Sequence, residues 1–353
     1  MSADKCRNVS AVLRRKEFVS ALSSNYLCLM KNIQSSLAAC SALTVLCFTQ
    51  TPSLGADVKG YSVLKGQFFI QTGPEDLVLD SDFGFSVLAS VDATDFDLIT
   101  EASFRTGDGT SKPMDNLGDS WSFLDTFETS AELDAAYPWG AYGLDFTTVN
   151  DGTFACDLNF PETPLPPLPR LVNFSDVQAV DPTKPLTLTW DFAEPPKPDD
   201  FVEVYITLGH AVVVTTPGSG EPGAFDTTDR DVIIPPFSLA PGLTYSLNIE
   251  ITRVASTNAT CYPSGQGAAG TLSSTSTDLT TLFLPTLRLL SGPTNGVISV
   301  EVLSEPNSTV VLQNSSDLAK WSNIATNAAT SGTNVFSVTL TDQLSGFYRA
   351  TKP

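Results

Sequence analysis

Three clustered aspartates could bind a metal ion. Asp92, Asp95 and Asp97 lie close together in the sequence. Calcium takes about six to eight oxygen ligands and tolerates irregular loops, so these three residues are candidate calcium ligands. They lack the glutamate that ends a calcium-binding loop, and aspartate also caps its own backbone in turns. A turn is therefore the favoured interpretation, with a calcium site as the alternative.

A second group of residues could bind sugars. Trp121, Trp139 and Tyr142 lie near one another in the sequence, and exposed aromatic rings are platforms on which a pyranose can stack. Large aromatic residues are more often part of a core, and the neighbouring Phe123 and Phe127 favour that interpretation. Core packing is the favoured interpretation, and a sugar platform is the alternative.

Residues for common catalytic devices are scarce. The chain has one histidine, His210, and no nucleophile elbow of the Gly-x-Ser-x-Gly kind. Zinc sites need several histidine or cysteine ligands at set spacing, which this sequence does not offer. A glycosidase needs only two carboxylates, so that class stays open. The sequence predicts no catalytic residue and no cofactor.

Charge and the N-terminal segment indicate export. Lys+Arg number 19 against 39 Asp+Glu, a net charge of -20, which disfavours nucleic acid and anionic membranes as partners. Lys31, the apolar run Leu37–Phe48 and the small residues 53–56 follow the order of a secretory signal peptide, and the apolar run is too short to span a bilayer. We interpret 30–56 as a signal peptide and 1–29 as an extension from a misassigned start codon. A buried first helix is the alternative.

Two cysteines follow this segment. Alternation in Thr153–Phe160 places Cys156 on the apolar face of a strand, whereas Cys261 lies in a polar segment that resembles a loop. An exported protein favours pairing, but a disulfide needs Cα atoms within about 7 Å. A bond would have to join two predicted modules, so we expect both cysteines to be unpaired.

Proline and polar runs divide the chain into modules. The stretch Pro161–Pro169 favours an extended polyproline conformation and predicts a linker. A second boundary follows the polar run 264–281. The predicted modules are a β-rich domain at 57–165, a sandwich at 166–285 and a small β domain at 286–353.

Period-two alternation predicts strands in every module. Apolar and polar residues alternate through Leu186–Trp190, Val202–Ile206 and Leu243–Ile251. One segment, Ser122–Tyr137, has helical spacing at Phe123, Phe127, Ala131 and Ala135, and predicts a short helix in the first module. The predicted fold is all-β, with tandem β-sandwich modules.

Two segments of the middle module, 186–191 (LTLTWD) and 239–249 (LAPGLTYSLNI), have the pattern of a known family. The first resembles the second strand of a fibronectin type III or immunoglobulin-like domain, and the second resembles the tyrosine corner of that family. The resemblance implies that Trp190 packs between two sheets and that the hydroxyl of Tyr245 bonds back to nearby backbone.

The last module contains two characteristic segments, 310–324 (VVLQNSSDLAKWSNI) and 347–350 (FYRA). These segments resemble the C-terminal β modules of secreted verrucomicrobial and planctomycete proteins. Such modules accompany proteins of very different activity, so the resemblance implies export and architecture but no chemistry. Trp321, Phe347 and Tyr348 are expected to be core aromatics.

These observations predict a non-enzymatic protein that is secreted or displayed at the cell surface. The expected role is adhesion, ligand display or cell-envelope structure, with an extracellular protein or a glycan as partner. Two alternatives remain, a carbohydrate-binding protein that works through the first module and a glycoside hydrolase.

Overall fold

The structure, a computed structural model, describes residues 56–352 with gaps at 210, 263–264, 295–296, 330–331 and 340–346. The extension at 1–29, His210 and all of the predicted signal peptide except Ala56 therefore lie outside the described residues.

The described chain is built almost entirely of strands. Its first part contains β1 (Val58–Gln71), β2 (Leu77–Leu79), β3 (Phe85–Ala93), β4 (Ile99–Arg105), β5 (Ser111–Pro113), β6 (Asp115–Asn116), β7 (Ser120–Phe127), helix α1 (Ser130–Ala136), β8 (Gly140–Thr148) and β9 (Thr153–Phe160). The middle part contains β10 (Pro169–Leu171), a 3₁₀ helix (Phe174–Gln178), β11 (Leu186–Phe192), β12 (Phe201–Leu208), β13 (Ala211–Thr215), β14 (Phe225–Asp226), β15 (Asp231–Ile234), β16 (Thr244–Asn258) and β17 (Gln266–Thr280). The last part contains β18 (Thr286–Thr294), β19 (Val297–Leu303), β20 (Ser308–Ser315), β21 (Ser322–Ala329), β22 (Thr333–Thr339) and β23 (Phe347–Thr351). The chain is all-β, as predicted.

Two compact units divide the chain. The first comprises the residues up to Val177 with Leu186–Ile234 and Tyr245–Leu279, and the second comprises Gln178–Pro185, Pro235–Thr244 and Thr280–Pro353. Strands from the first two predicted modules lie together in the first unit. The module boundaries themselves remain a prediction.

A ten-stranded sheet forms the centre of the first unit. Its order is β13-β12-β16-β17-β1-β3-β7-β6, with β14 also paired to β12 and β2 to β1. Strands β1 and β17 run parallel in register from Gly60↔Gln266 to Ile70↔Ser276. Gly267 lies under the ring of Tyr61, where an added Cβ would be 2.2 Å from ring atom Cε2. A glycine at this position therefore leaves the room that the buried ring occupies.

The two faces of the central sheet belong to different cores because neighbouring strand residues point to opposite sides. Val63 of β1 belongs to a core with residues of the four-stranded sheet β5-β4-β8-β9, among them Phe104 and Leu144. The next residue, Leu64, belongs to a separate core with Phe201 of β12.

The middle strands belong to two different sheets. One is the three-stranded sheet β10-β11-β15, and the other is the central sheet, which contains β12 and β16. Trp190 is 1% exposed and its ring lies 5.9 Å from that of Phe225. Tyr245 is also buried.

The helix is shorter than predicted. Residues Ser120–Phe127 form β7, and α1 covers only Ser130–Ala136. Thr129 caps α1, because its hydroxyl accepts a hydrogen bond from the amide of Glu132 while the Glu132 carboxylate accepts one from the Thr129 amide. This capping box begins the helix after Phe127.

The prediction of two unpaired cysteines is wrong. Cys156 is fully buried, as alternation predicted, but it forms a disulfide with Cys261 across a Cα–Cα distance of 5.5 Å. The segment before Cys261 lies along β9, because the side chain of Asn258 donates to the carbonyl of Asp157 (2.8 Å) and the hydroxyl of Ser256 donates to that of Asn159.

The proline-rich segment Pro161–Pro169 packs on the central sheet. The carbonyl of Pro164 accepts hydrogen bonds from Arg253 (2.8 Å) and Thr271 (3.1 Å), and the carbonyl of Pro166 accepts one from Ser273 (2.6 Å). Proline lacks an amide proton but keeps its carbonyl, so the residues before β10 can accept hydrogen bonds from side chains of the sheet without joining the strand ladder. We call this segment the proline strap.

The second unit contains two three-stranded sheets, β18-β19-β22 and β21-β20-β23. Its core includes Val302, Val310, Leu312 and Phe336. Phe347 is 47% exposed, so the expectation that it belongs to the core is wrong.

Candidate functional site

A cleft beside α1 brings together one of the predicted sugar-binding residues and several charged groups. The cavity measures about 490 Å³ and is lined by Lys65, Ser130, Leu133, Asp134, Trp139, Glu162, Thr163, Pro164 and Leu165. These residues come from β1, α1, the loop after α1 and the proline strap, so the elements of the first unit position every wall. We call this cavity the helix cleft.

Lys65 is the central charge of the helix cleft. Its side chain is 2% exposed, and its Nζ lies 2.6 Å from Oδ1 of Asp134 and 3.6 Å from the centroid of the Trp139 ring. Burial lowers the pKa of Lys65, while the hydrogen bond and the charge of Asp134 act in the opposite direction. The ion pair and the cation–π contact together hold Trp139 and α1 in a fixed orientation.

The two acidic groups of the helix cleft differ in their environment. The side chain of Asp134 is 47% exposed and is paired with Lys65. Glu162 at the start of the proline strap is exposed to solvent. Carboxylate oxygens are acceptors only, so this pair offers acceptors to a ligand that carries donors.

Trp121 and Tyr142 do not line the helix cleft. The indole N–H of Trp121 donates to the carbonyl of Ile99 (3.0 Å). Tyr142 is 2% exposed, its ring stacks on Phe104 with centroids 5.6 Å apart, and its hydroxyl donates to the carbonyl of Pro138 (2.5 Å). Burial raises the pKa of Tyr142 to about 12. Of the three predicted platform residues, Trp139 alone borders this cavity.

The predicted calcium ligands lie at and after the end of β3. Asp92 is buried, and burial raises its pKa to about 7. Asp95 accepts a hydrogen bond on Oδ1 from the amide of Phe96 (2.8 Å), and Asp97 has a positive φ of 59°. Both are exposed residues of a turn. In the part of the chain that the structure describes, no three histidine, cysteine, aspartate or glutamate side chains form a group that could hold a metal ion.

A smaller cavity of about 170 Å³ lies on the central sheet, on the side of the Phe68–Phe83 ring pair. It is bordered mainly by uncharged polar residues, among them Tyr205, Thr207, Ser246, Asn248 and Ser274, together with Asp80. We call it the sheet pocket. Burial raises the pKa of Asp80.

The sequence reasoning missed Lys65, Asp134 and Glu162. Lys65 did leave a signal, because it interrupts an apolar strand (YSVLKGQFF) in which a buried lysine needs a partner. The identity of that partner depends on contacts between residues far apart in the sequence.

Comparisons with known proteins identify no family. No protein-family model matches the chain, and no curated protein matches it. Among the described residues, no helix is long and apolar enough to cross a membrane.

Solved structures show weak likenesses. A tetra-tandem repeat from the extending region of a large adhesion protein is 12% identical, with 80% of this chain and 66% of that chain covered and a TM-score of 0.21. A Ca²⁺-stabilised adhesin that helps an Antarctic bacterium bind ice is 13% identical, with 79% and 65% covered and a TM-score of 0.19. Fibronectin III-like modules of Clostridium thermocellum CbhA are 12% identical, with 63% and 94% covered and a TM-score of 0.18. The chain spans slightly less than two thirds of the two adhesion proteins, and likenesses this weak carry no functional argument.

Proposed function

We propose that this chain is a non-enzymatic, exported β-sandwich protein that serves adhesion, ligand display or cell-envelope structure. The observation that carries the proposal is the disulfide between Cys156 and Cys261, which closes a sequence separation of 105 residues. Structural disulfides form and persist in oxidising compartments outside the cytoplasm. The signal peptide predicted at 30–56 and the net charge of -20 support the same location.

A display role needs a scaffold that keeps its shape, and three features of the first unit supply one. The parallel pairing of β1 with β17 makes a single sheet of strands that are far apart in the sequence. The disulfide links β9 to the segment between β16 and β17. The proline strap adds hydrogen bonds from side chains of the sheet. A ligand site on such rigid elements loses little conformational entropy on binding.

Cell fractionation combined with thiol labelling tests the proposal. The tagged full chain is expected outside the cytoplasm. If it is bound to the cell surface, protease added to intact cells should degrade it. Cys156 and Cys261 should be labelled only after reduction. A cytoplasmic protein with both of these thiols free would contradict the proposal.

Carbohydrate binding is a second candidate function, favoured by one observation. Trp139, Asp134 and Glu162 border the same cavity, and an aromatic wall beside carboxylates suits a ligand with both C–H and hydroxyl surfaces. Such a ligand would make the display protein an adhesin for glycans.

A further inference from the structure

The helix cleft combines apolar walls with polar and charged groups. Leu133 is buried and holds α1 against the unit, while Trp139 contacts Phe160 edge to face with centroids 5.0 Å apart. Lys65 covers part of the Trp139 ring. Ligand pockets typically combine an apolar lining with a small number of oriented polar groups, and this cavity of about 490 Å³ has that composition.

The polar groups of the helix cleft favour a ligand that donates hydrogen bonds. Asp134 accepts from Lys65 on Oδ1, which leaves Oδ2 as an acceptor for a ligand, and the exposed carboxylate of Glu162 is a second acceptor. Ser130, the first residue of α1, adds a hydroxyl that both donates and accepts. Vicinal hydroxyl groups of a sugar ring match this arrangement, because they donate to carboxylates and accept from hydroxyls.

We infer that the helix cleft binds a neutral, hydroxyl-rich saccharide, with Glu162, Asp134 and Ser130 bonding its hydroxyls and Trp139 packing against its C–H surface. This inference rests on the proposed non-enzymatic extracellular role and names its ligand class. It also replaces the platform predicted from the sequence, since Tyr142 lies in the core and Trp121 does not line the cavity.

The charges in and around the helix cleft disfavour binding of an acidic saccharide. The cation of the cleft, Lys65, is already compensated by Asp134 at 2.6 Å, so it does not attract a second anion strongly. Glu162 and the net charge of -20 repel uronic acids. A polycationic glycan is attracted by the whole surface of the chain, and such binding would not depend on Glu162.

Native affinity electrophoresis of the full chain tests the inference. The gels contain a neutral polysaccharide (xylan, mannan, laminarin or hydroxyethyl cellulose), polygalacturonate as an acidic probe, or chitosan as a cationic probe. At least one neutral polysaccharide is expected to retard the wild-type protein. Glu162→Gln, on an exposed residue, is expected to weaken that binding by about tenfold, as loss of one hydrogen bond to a charged acceptor does. Trp139→Ala is expected to weaken it at least as much.

Two control variants keep the result specific. Trp121→Phe changes a predicted platform residue that lies outside the cleft, and Asn248→Ala changes the sheet pocket; both are expected to bind like the wild-type protein. Thermal unfolding of each variant checks that Trp139→Ala still folds, and Glu162→Gln carries the test if it does not.

Four results would overturn the inference. They are no retardation by any neutral polysaccharide, retardation by polygalacturonate or chitosan alone, unchanged binding by Glu162→Gln, and loss of binding in Asn248→Ala. Release of reducing ends from a bound polysaccharide would instead contradict the non-enzymatic function while leaving the cleft as the binding site. The two proposals therefore fail in different ways.

Discussion

Glu203 on β12 and Glu250 on β16 lie directly opposite each other in the antiparallel pair, and both side chains are buried. Burial, together with the charges of Glu250 and Glu221, raises the pKa of Glu203 well above its ordinary value. Burial raises the pKa of Glu250 to about 7. One carboxyl oxygen of each residue has no hydrogen-bond partner among the described residues. Two opposed anions are unfavourable here, so the folded state favours protonated carboxyl groups.

Stability of the first unit is expected to fall as pH rises from about 4.5 to about 7. The ordinary glutamate pKa is 4.5, so in this window the unfolded chain releases protons that the folded protein retains. The folded state then binds more protons than the unfolded state, and its free energy of unfolding decreases with pH. Below this window Glu203 and Glu250 are protonated in both the folded and the unfolded chain, so their contribution to stability is constant. The slope of the melting temperature against pH, measured for the oxidised protein between pH 4 and 8, tests this prediction.

Glu250→Gln identifies the source of that slope. The amide is neutral at every pH, so the variant is expected to have a flatter profile and to melt several degrees above the wild-type protein at pH 8. Glu128→Gln, on an exposed residue, is the matched control and should keep the wild-type slope. An unchanged slope in Glu250→Gln would contradict the assignment.

The disulfide between Cys156 and Cys261 is expected to stabilise the first unit by about 4 kcal/mol, because it closes a long loop in the unfolded chain. Reduction, or the double variant Cys156→Ala with Cys261→Ala, should lower the free energy of unfolding by a similar amount, and the melting temperature should fall with it. In protein that begins at Asp57, alkylation of denatured but unreduced chain should label no thiol. Two labelled thiols would contradict the disulfide.

Alternation of apolar and polar residues in the sequence predicted strands well. The prediction failed where one residue spacing fits both a helix and a strand. Phe123 and Phe127 are four residues apart, which places them on one face of a helix but also on one face of a strand. The structure places both on β7, and only the residues after Thr129 are helical. The capping pattern of Thr129 and Glu132 was the better local signal.

Contacts between distant residues were beyond any local pattern. Alternation correctly placed Cys156 in the core, but the position of Cys261 depends on the pairing of β1 with β17 and on Asn258 reaching β9. The helix cleft has the same origin, because Lys65 meets Asp134 only after β1 and α1 have packed. Single residues such as Trp139 were visible in the sequence, whereas the site they form was not.

Trp190 is expected to be a main contributor to the core of the middle strands. Replacing a buried tryptophan by alanine typically costs about 3 to 5 kcal/mol, so Trp190→Ala should melt far below the wild-type protein. Trp190→Phe is the matched variant. The indole N–H has no partner among the described residues, so phenylalanine loses packing volume but no hydrogen bond and should cost much less. Equal losses for both variants would contradict this account.

Processing of the N-terminus is expected to leave Asp57 as the first residue. The amide of Asp57 lies 2.9 Å from both Oδ2 of Asp151 and the hydroxyl of Tyr262. An α-ammonium group created here by cleavage after Ala56 would therefore meet a carboxylate. Mass spectrometry of the exported protein checks the cleavage point, and an N-terminus upstream of Ser53 would contradict the signal-peptide prediction.

Arg253 joins the proline strap to the central sheet. Its guanidinium donates to both carboxylate oxygens of Asp200 (2.7 and 2.6 Å) and to the carbonyl of Pro164 (2.8 Å). The side chains are 10% and 0% exposed, so removal of Arg253 leaves a buried carboxylate without its counter-ion. Arg253→Met is therefore expected to cost about 3 to 5 kcal/mol.

Arg253→Lys keeps the charge but cannot make the two parallel bonds and the third bond together, so it should recover only part of the loss. The double variant Arg253→Met with Asp200→Asn removes both charges and should be more stable than Arg253→Met alone. Urea unfolding of the three variants measures these differences, and a fully stable Arg253→Lys protein would show that charge alone holds the strap.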